Sequence, residues 1–163
     1  MDLKIDYLYY GKMLKNYDIP IKTTLNDNIK IYYSLFLENG EKIETPYDKL
    51  PFYFEELGYS NDFEDIDEDN NGTIIKGLDK AITELTLGDF IRVEIPCEYA
   101  YGEIGIPYII PKKSKLIYYL QLIYIERNDN IFEYPDIINL NEIIKTDNLN
   151  EIKEKTKTFN NLL

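Results

Sequence analysis

Histidine is absent from this chain of 163 residues, and cysteine occurs once, at Cys97. Without an imidazole there is no histidine general base, no histidine-dependent triad and no route to most zinc or haem sites. A lone thiol excludes thiolate metal clusters and any internal disulfide, which suits a reducing compartment. Positive charge is scarce as well: 18 basic against 30 acidic residues leave a net charge of −12. That balance repels a phosphate backbone, and the longest basic cluster, Lys112-Lys113 with Lys115, is too small to reverse it. Nucleic acid is therefore not an expected partner, and anionic membrane surfaces are disfavoured on the same ground. No apolar run approaches the roughly 20 residues of a membrane span, so none is expected. The opening MDLKIDYLYYGK mixes acidic residues into its hydrophobics and shows no signal-peptide stretch, so the expected location is cytoplasmic. What remains for chemistry is carboxylates, hydroxyls, backbone amides and shape, with no metal and no cofactor expected.

The length suits one domain with room for an appendage. Residues 29–37, IKIYYSLFL, alternate, with Ile29, Ile31, Tyr33, Leu35 and Leu37 on one face, and predict a strand with one buried side. ENG at 38–40 is a turn signal, and EKIE begins a return strand. FYF at 52–54 and FIRVEI at 90–95 read as further strands. So does KLIYYLQLIYIE at 115–126, with Leu116, Tyr118, Leu120, Leu122 and Tyr124 on a single face. YLYYGKML near the start adds another. Only LDKAITEL, residues 78–85, has helical spacing, through Leu78, Ile82 and Leu85, with Gly88 as its stop. Several strands and one short helix predict an α+β domain, a curled antiparallel β-sheet wrapped over that helix.

Two regions break the pattern. Residues 58–73 form an acidic insertion that reads as an exposed loop. Within it, residues 67–72 match the first six positions of a calcium-binding loop, but the twelfth position is Leu78 in place of the required glutamate. Residues 128–163 read as a C-terminal extension, partly helical and too polar for a core of its own. The boundary is expected at 127, and the domain of residues 1–127 is expected to fold without residues 130–163.

YAYGEIGIPYIIP, residues 99–111, is an apolar, aromatic loop punctuated by Gly102, Gly105, Pro107 and Pro111. The run from Ile74 to Glu126 that contains it resembles the second half of an FKBP domain, the macrolide-binding peptidyl-prolyl cis–trans isomerases. The shared features are the IIKG entry to the helix, the Leu87-Gly88 before a strand, and YAYG…G…P…IIP before a final apolar strand. YYSLFLENGEKIE and PFYFEELG resemble the first half more weakly, so the likeness covers roughly residues 15–127.

The resemblance implies an FKBP-like fold and an isomerase acting on X–Pro bonds. It implies proline-containing peptides or proteins as partners, macrolides such as tacrolimus or rapamycin as ligands, and a chaperone as a further partner. Tyr101, the Ile75 amide and Glu44 then correspond to catalytic positions. Tyr33, Ile43, Phe52, Ile74, Leu78, Ile106, Ile109, Ile110 and Tyr118 correspond to the substrate- and macrolide-binding pocket. Departures from the family pattern lie at Leu78, where active members carry Trp, and at Ile43 and Glu44, which replace a Phe-Asp pair. They keep open a second reading, a catalytically weak protein-binding module. Ile74, Leu78 and Phe52 also fall at buried periodicities that core packing alone explains, whereas buried tyrosines need hydroxyl partners and point more directly to a site.

Overall fold

The computed structural model describes residues 3–11, 20–59, 74–135 and 137–162. Most of the acidic insertion, including the calcium-loop pattern, lies outside the described residues. Ten elements follow one another: β1 (Lys4–Tyr9), β2 (Asn28–Leu37), β3 (Lys42–Ile43), β4 (Phe52–Phe54), α1 (Lys76–Ile82), β5 (Phe90–Ile95), β6 (Leu116–Arg127), β7 (Asn130–Glu133), α2 (Leu140–Ile143) and α3 (Leu149–Leu162). The seven strands make one sheet in the order β1-β5-β6-β2-β3, with β4 also on β2 and β7 on β6. All pairings are antiparallel. This is the curled α+β arrangement expected from the strand pattern.

Directly paired residues share a face of the sheet. One inner row therefore runs Ile43, Leu35, Tyr118, Val93 and Ile5, and the next runs Tyr33, Leu120 and Ile91. With α1, these rows build the core. The helix begins and ends earlier than its spacing suggested. Gly77 falls inside it, where a Cβ would collide with Ile95. Gly88 does not terminate it. It sits at φ +95° in the Thr86–Asp89 turn that starts β5, where Asp89 accepts from the Thr86 and Gly11 amides at 2.8 Å each.

Tyr124 is not on the inner face. A bulge between Lys30 and Ile31 pairs Ile31 with Leu122 and Lys30 with Tyr124, which moves that tyrosine to the outer side. There it lies under the Lys30 ammonium. The outer face is not left to solvent either. Ser34 and Phe36 on β2, Arg92 on β5, and Ile117, Tyr119 and Gln121 on β6 are all buried. What covers them is the extension. Tyr134, Ile138, Leu140, Ile144 and Ile152 belong to the same buried cluster as the inner rows. α2 packs against β2 and α3 against β1.

Polar contacts tie the extension down as well. The Gln121 side-chain oxygen accepts from the Ile138 amide at 2.9 Å. Tyr134 donates its hydroxyl to that of Tyr9. Between α2 and α3, Asp147 takes two hydrogen bonds from Arg92, both at 3.0 Å, and a third from the Tyr119 hydroxyl. Gly88 lies beneath this cover, and a Cβ there would run into the Tyr134 ring. Gly88→Ala is therefore expected to lose about 1–3 kcal/mol from backbone strain and collision, read as a lower thermal midpoint. An unchanged midpoint would contradict that placement.

Candidate functional site

On the inner face three rings meet. Tyr33 on β2 lies 5.3 Å from Tyr118 on β6, edge-on, and 6.2 Å from Phe52 on β4. Strand alternation brings them together: Phe52 pairs with Ile31, two residues from Tyr33, and Tyr118 pairs with Leu35, two residues the other way. Tyr118 is the deep member at 3% exposure, whereas Tyr33 and Phe52 are half-buried. Tyr101 joins them electrostatically. Its hydroxyl is close enough to raise the pKa of both Tyr33 and Tyr118.

Burial is the main reason that all three phenols resist ionisation, with the neighbouring hydroxyls adding to it for Tyr33 and Tyr118. A hydrogen bond with Thr45 partly offsets the rise at Tyr33. The phenols therefore stay protonated across the physiological range and remain able to donate. A ring cluster built this way offers apolar surface with a few neutral donors and no titrating base.

The loop that carries Tyr101 has its shape set by its own backbone. The Gly105 amide donates to the Tyr101 carbonyl at 3.0 Å, and Ile106 and Ile110 pair with each other across the tip. Gly105 has φ +70°, and a Cβ there would strike the Ile110 and Pro111 carbonyls. Within this frame Ile110 is buried, Ile106 is half-buried, and Ile109 is exposed beside Tyr108.

The remaining sequence candidates fall into two groups. Ile74, Ile75 and Leu78 are buried at the entry and first turn of α1. The Ile75 carbonyl accepts from Leu78 and Asp79, and its N–H meets no acceptor among the described residues. Ile43 is half-buried in the inner row next to Leu35. Glu44 is exposed, with no hydrogen bond or ion pair to another described residue. Among the described residues no cluster of three or more His, Cys, Asp or Glu side chains could hold a metal ion. Cys97 is half-exposed and donates a hydrogen bond to Glu98, which, with burial and the Glu98 charge, pushes the thiol above its ordinary value.

One aromatic residue of the site escaped the reading of the sequence. Tyr47 lies 5.1 Å from Tyr33 and 4.9 Å from Phe52. It sits in a 3-10 turn, Pro46–Asp48, capped by Thr45 with Pro46 in the first turn. The signal was present in the Thr-Pro pair, a cap followed by a pre-set φ.

The family model described as "FKBP-type peptidyl-prolyl cis-trans isomerase" matches residues 20–123, more than half of the chain. FK506-binding protein 1 of Kluyveromyces lactis is 33% identical over 99 residues, covering 61% of this chain and 76% of that protein. Peptidyl-prolyl cis-trans isomerase FPR2 of Saccharomyces cerevisiae is 31% identical over 108 residues, 65% of this chain and 70% of its own. FK506-binding protein 2 of Dictyostelium discoideum is 31% identical over 119 residues, 72% and 80% of the two chains.

Proposed function

The chain belongs to the FKBP-type peptidyl-prolyl cis–trans isomerase family, and on that premise we propose that it accelerates cis–trans exchange at X–Pro bonds in peptides and folding proteins, using the inner-face aromatic pocket. The observation that carries this reading is the meeting of Tyr33, Phe52 and Tyr118, with Tyr101 close by. Rotating a prolyl amide breaks no bond and requires no proton transfer, so a chain without histidine is not handicapped. The barrier is lost amide resonance, about 18–20 kcal/mol. A twisted amide is less zwitterionic than a planar one, and an apolar cup favours it over water. Binding that is tighter for the twisted form is what raises the rate.

In this mechanism the proline ring enters the cup of Tyr33, Phe52 and Tyr118, with Leu78 as its floor and Ile74, Ile43, Ile106, Ile109 and Ile110 around it. The Tyr101 hydroxyl and the Ile75 amide donate to the flanking carbonyls, and Glu44 supplies a solvated charge at the margin. Macrolides such as tacrolimus or rapamycin would compete for the same cup. A role in protein folding beside a chaperone, in the cytoplasm, suits a chain with one cysteine. Among the described residues no helix is long and apolar enough to cross a membrane.

Exchange NMR on a Leu-Pro peptide tests the reading. Catalytic amounts of the protein are expected to accelerate exchange, and tacrolimus to suppress the acceleration. Tyr101→Phe should lower kcat/KM about tenfold, the worth of one hydrogen bond to a carbonyl, with little change in stability. The phenol pKa values are raised, so the donating form is complete at neutral pH and is lost only at strongly alkaline pH. The rate should therefore be flat from about pH 6 to about pH 9. No acceleration from folded protein would refute the reading, as would a bell-shaped profile within that range.

A further inference from the structure

The Pro46–Asp48 turn faces two parts of the molecule at once. On one side the half-buried Tyr47 ring is tilted against Tyr33 and edge-on to Phe52, so it continues the wall of the aromatic pocket. Thr45 holds it there: its hydroxyl accepts from the Tyr47 amide at 3.2 Å. The next residue turns the other way. Asp48 is 7% exposed, and its Oδ2 accepts from the Lys42 ammonium at 3.2 Å. The same ammonium donates to the Ile144 carbonyl at 3.4 Å, at the C-terminal cap of α2. Asp48 and Lys49 also line a cleft of about 380 Å³ whose opposite wall is Ile137, Ile138, Asn139 and Asn141 of the extension.

We propose that Tyr47 is a specificity-determining wall of the pocket, and that Lys42, acting through Asp48, is a positioning residue by which the C-terminal extension sets where that wall stands. The inference rests on the pocket reading given above. A three-residue 3-10 turn has little stability of its own. Its support is the ring cluster on one side and the Lys42 bridge on the other. Without the ammonium, the Asp48 carboxylate is left buried and unpaired and must move toward water. Tyr47 is its chain neighbour and moves with it. The deeper Tyr118 and Leu78 are left to the proline ring, so the half-buried Tyr47 meets the peptide residue beside proline. A misplaced wall weakens binding of that residue equally in ground state and transition state, which raises KM and leaves kcat alone.

The test is cis–trans exchange kinetics on the full chain with a series of Xaa-Pro peptides, Xaa running from Ala to Phe. Tyr47→Ala is expected to raise KM about three- to tenfold for Phe-Pro and Leu-Pro, the range of one ring contact, with Ala-Pro little changed. Lys42→Met should shift the series in the same direction at nearly constant kcat, and Lys42→Arg, which can span both acceptors, should restore it. Adding Lys42→Met to Tyr47→Ala should change nothing further, since both act on one wall. If Lys42→Met does not fold, Asp48→Asn takes its place in the same cycle. Independent, multiplying effects, or an equal effect of Tyr47→Ala across the whole series, would overturn the inference. Should Tyr101→Phe lower the rate while Tyr47→Ala is silent, the pocket reading stands and this one falls. No acceleration by the unmodified protein overturns both.

Discussion

A chain ending at residue 134 is expected to lose its cooperative thermal transition. The removed segment contains Ile138, Leu140, Ile144 and Ile152, each at most 1% exposed, and it is the cover of the sheet's outer face. Its loss bares Phe36 and Tyr119, both fully buried in the intact protein. Each such side chain contributes about 1.5–3 kcal/mol by being buried. A domain of this size holds in total about 5–15 kcal/mol, so a few such losses consume it. Gln121 would also lose its partner at Ile138, leaving a polar group in the middle of an apolar strand. The expected readings are a flat melting curve, exposed apolar surface and association. A truncated chain with the midpoint of the full one would show that residues 1–134 hold their own core, as the composition of the tail had suggested. The family match itself ends at residue 123, so the likeness covers a domain without this segment.

Asp147→Ala is expected to cost about 3 kcal/mol, because it strips two hydrogen bonds and the bidentate counter-ion from the buried Arg92 guanidinium and leaves it only the Glu94 ion pair at 3.1 Å among the described residues. In a chain of this length that is a fall of about 6–12 °C in midpoint. Arg92 is 9% exposed, and its charge is held chiefly by hydrogen bonds to Asp147. Burial by itself would raise the Asp147 carboxyl. Hydrogen bonds from Arg92 and Tyr119, together with the Arg92 charge, outweigh that and bring it below the usual carboxylate value. Glu94 is lowered in the same way, its burial outweighed by Arg92 and Lys4. A carboxyl lowered on folding contributes its full stability above the unfolded pKa of about 4 and loses it as pH falls through the folded value. The wild-type midpoint should therefore hold near neutrality and drop below about pH 4–5. Asp147→Asn, without this group's linkage, should fall less steeply over the same interval. Parallel acid curves for the two proteins would mean that the clasp carries no pH dependence.

Much of the inner architecture was legible in residue order. The alternation in IKIYYSLFL, the short FYF and the apolar 115–126 run place Tyr33, Phe52 and Tyr118 on one side of a sheet. Period two is a local property and survives any fold that buries that side. The loop 99–111 was equally legible, since Gly105 at its positive φ and the flanking prolines restrict the backbone wherever the loop is placed. Tyr124 was misassigned because a bulge is a two-strand event. The extra residue is visible only against the partner strand, and it reverses every side chain beyond it. Helix α1 was shifted because Gly77 lowers helical propensity, yet packing against Ile95 demands a glycine at that point.

By itself, then, residue order determined the α+β sheet, its aromatic inner face and the absence of histidine chemistry, all consequences of short-range periodicity, turn stereochemistry and composition. Only the tertiary structure decided what the outer face of the sheet meets. Arg92 and Asp147 lie 55 residues apart and Lys42 and Ile144 lie 102 apart. Nothing in the local sequence marks either as a pair. Many amphipathic segments could cover the same apolar strand, and the choice among them is made by chain connectivity and by which buried charges find partners once the sheet has curled.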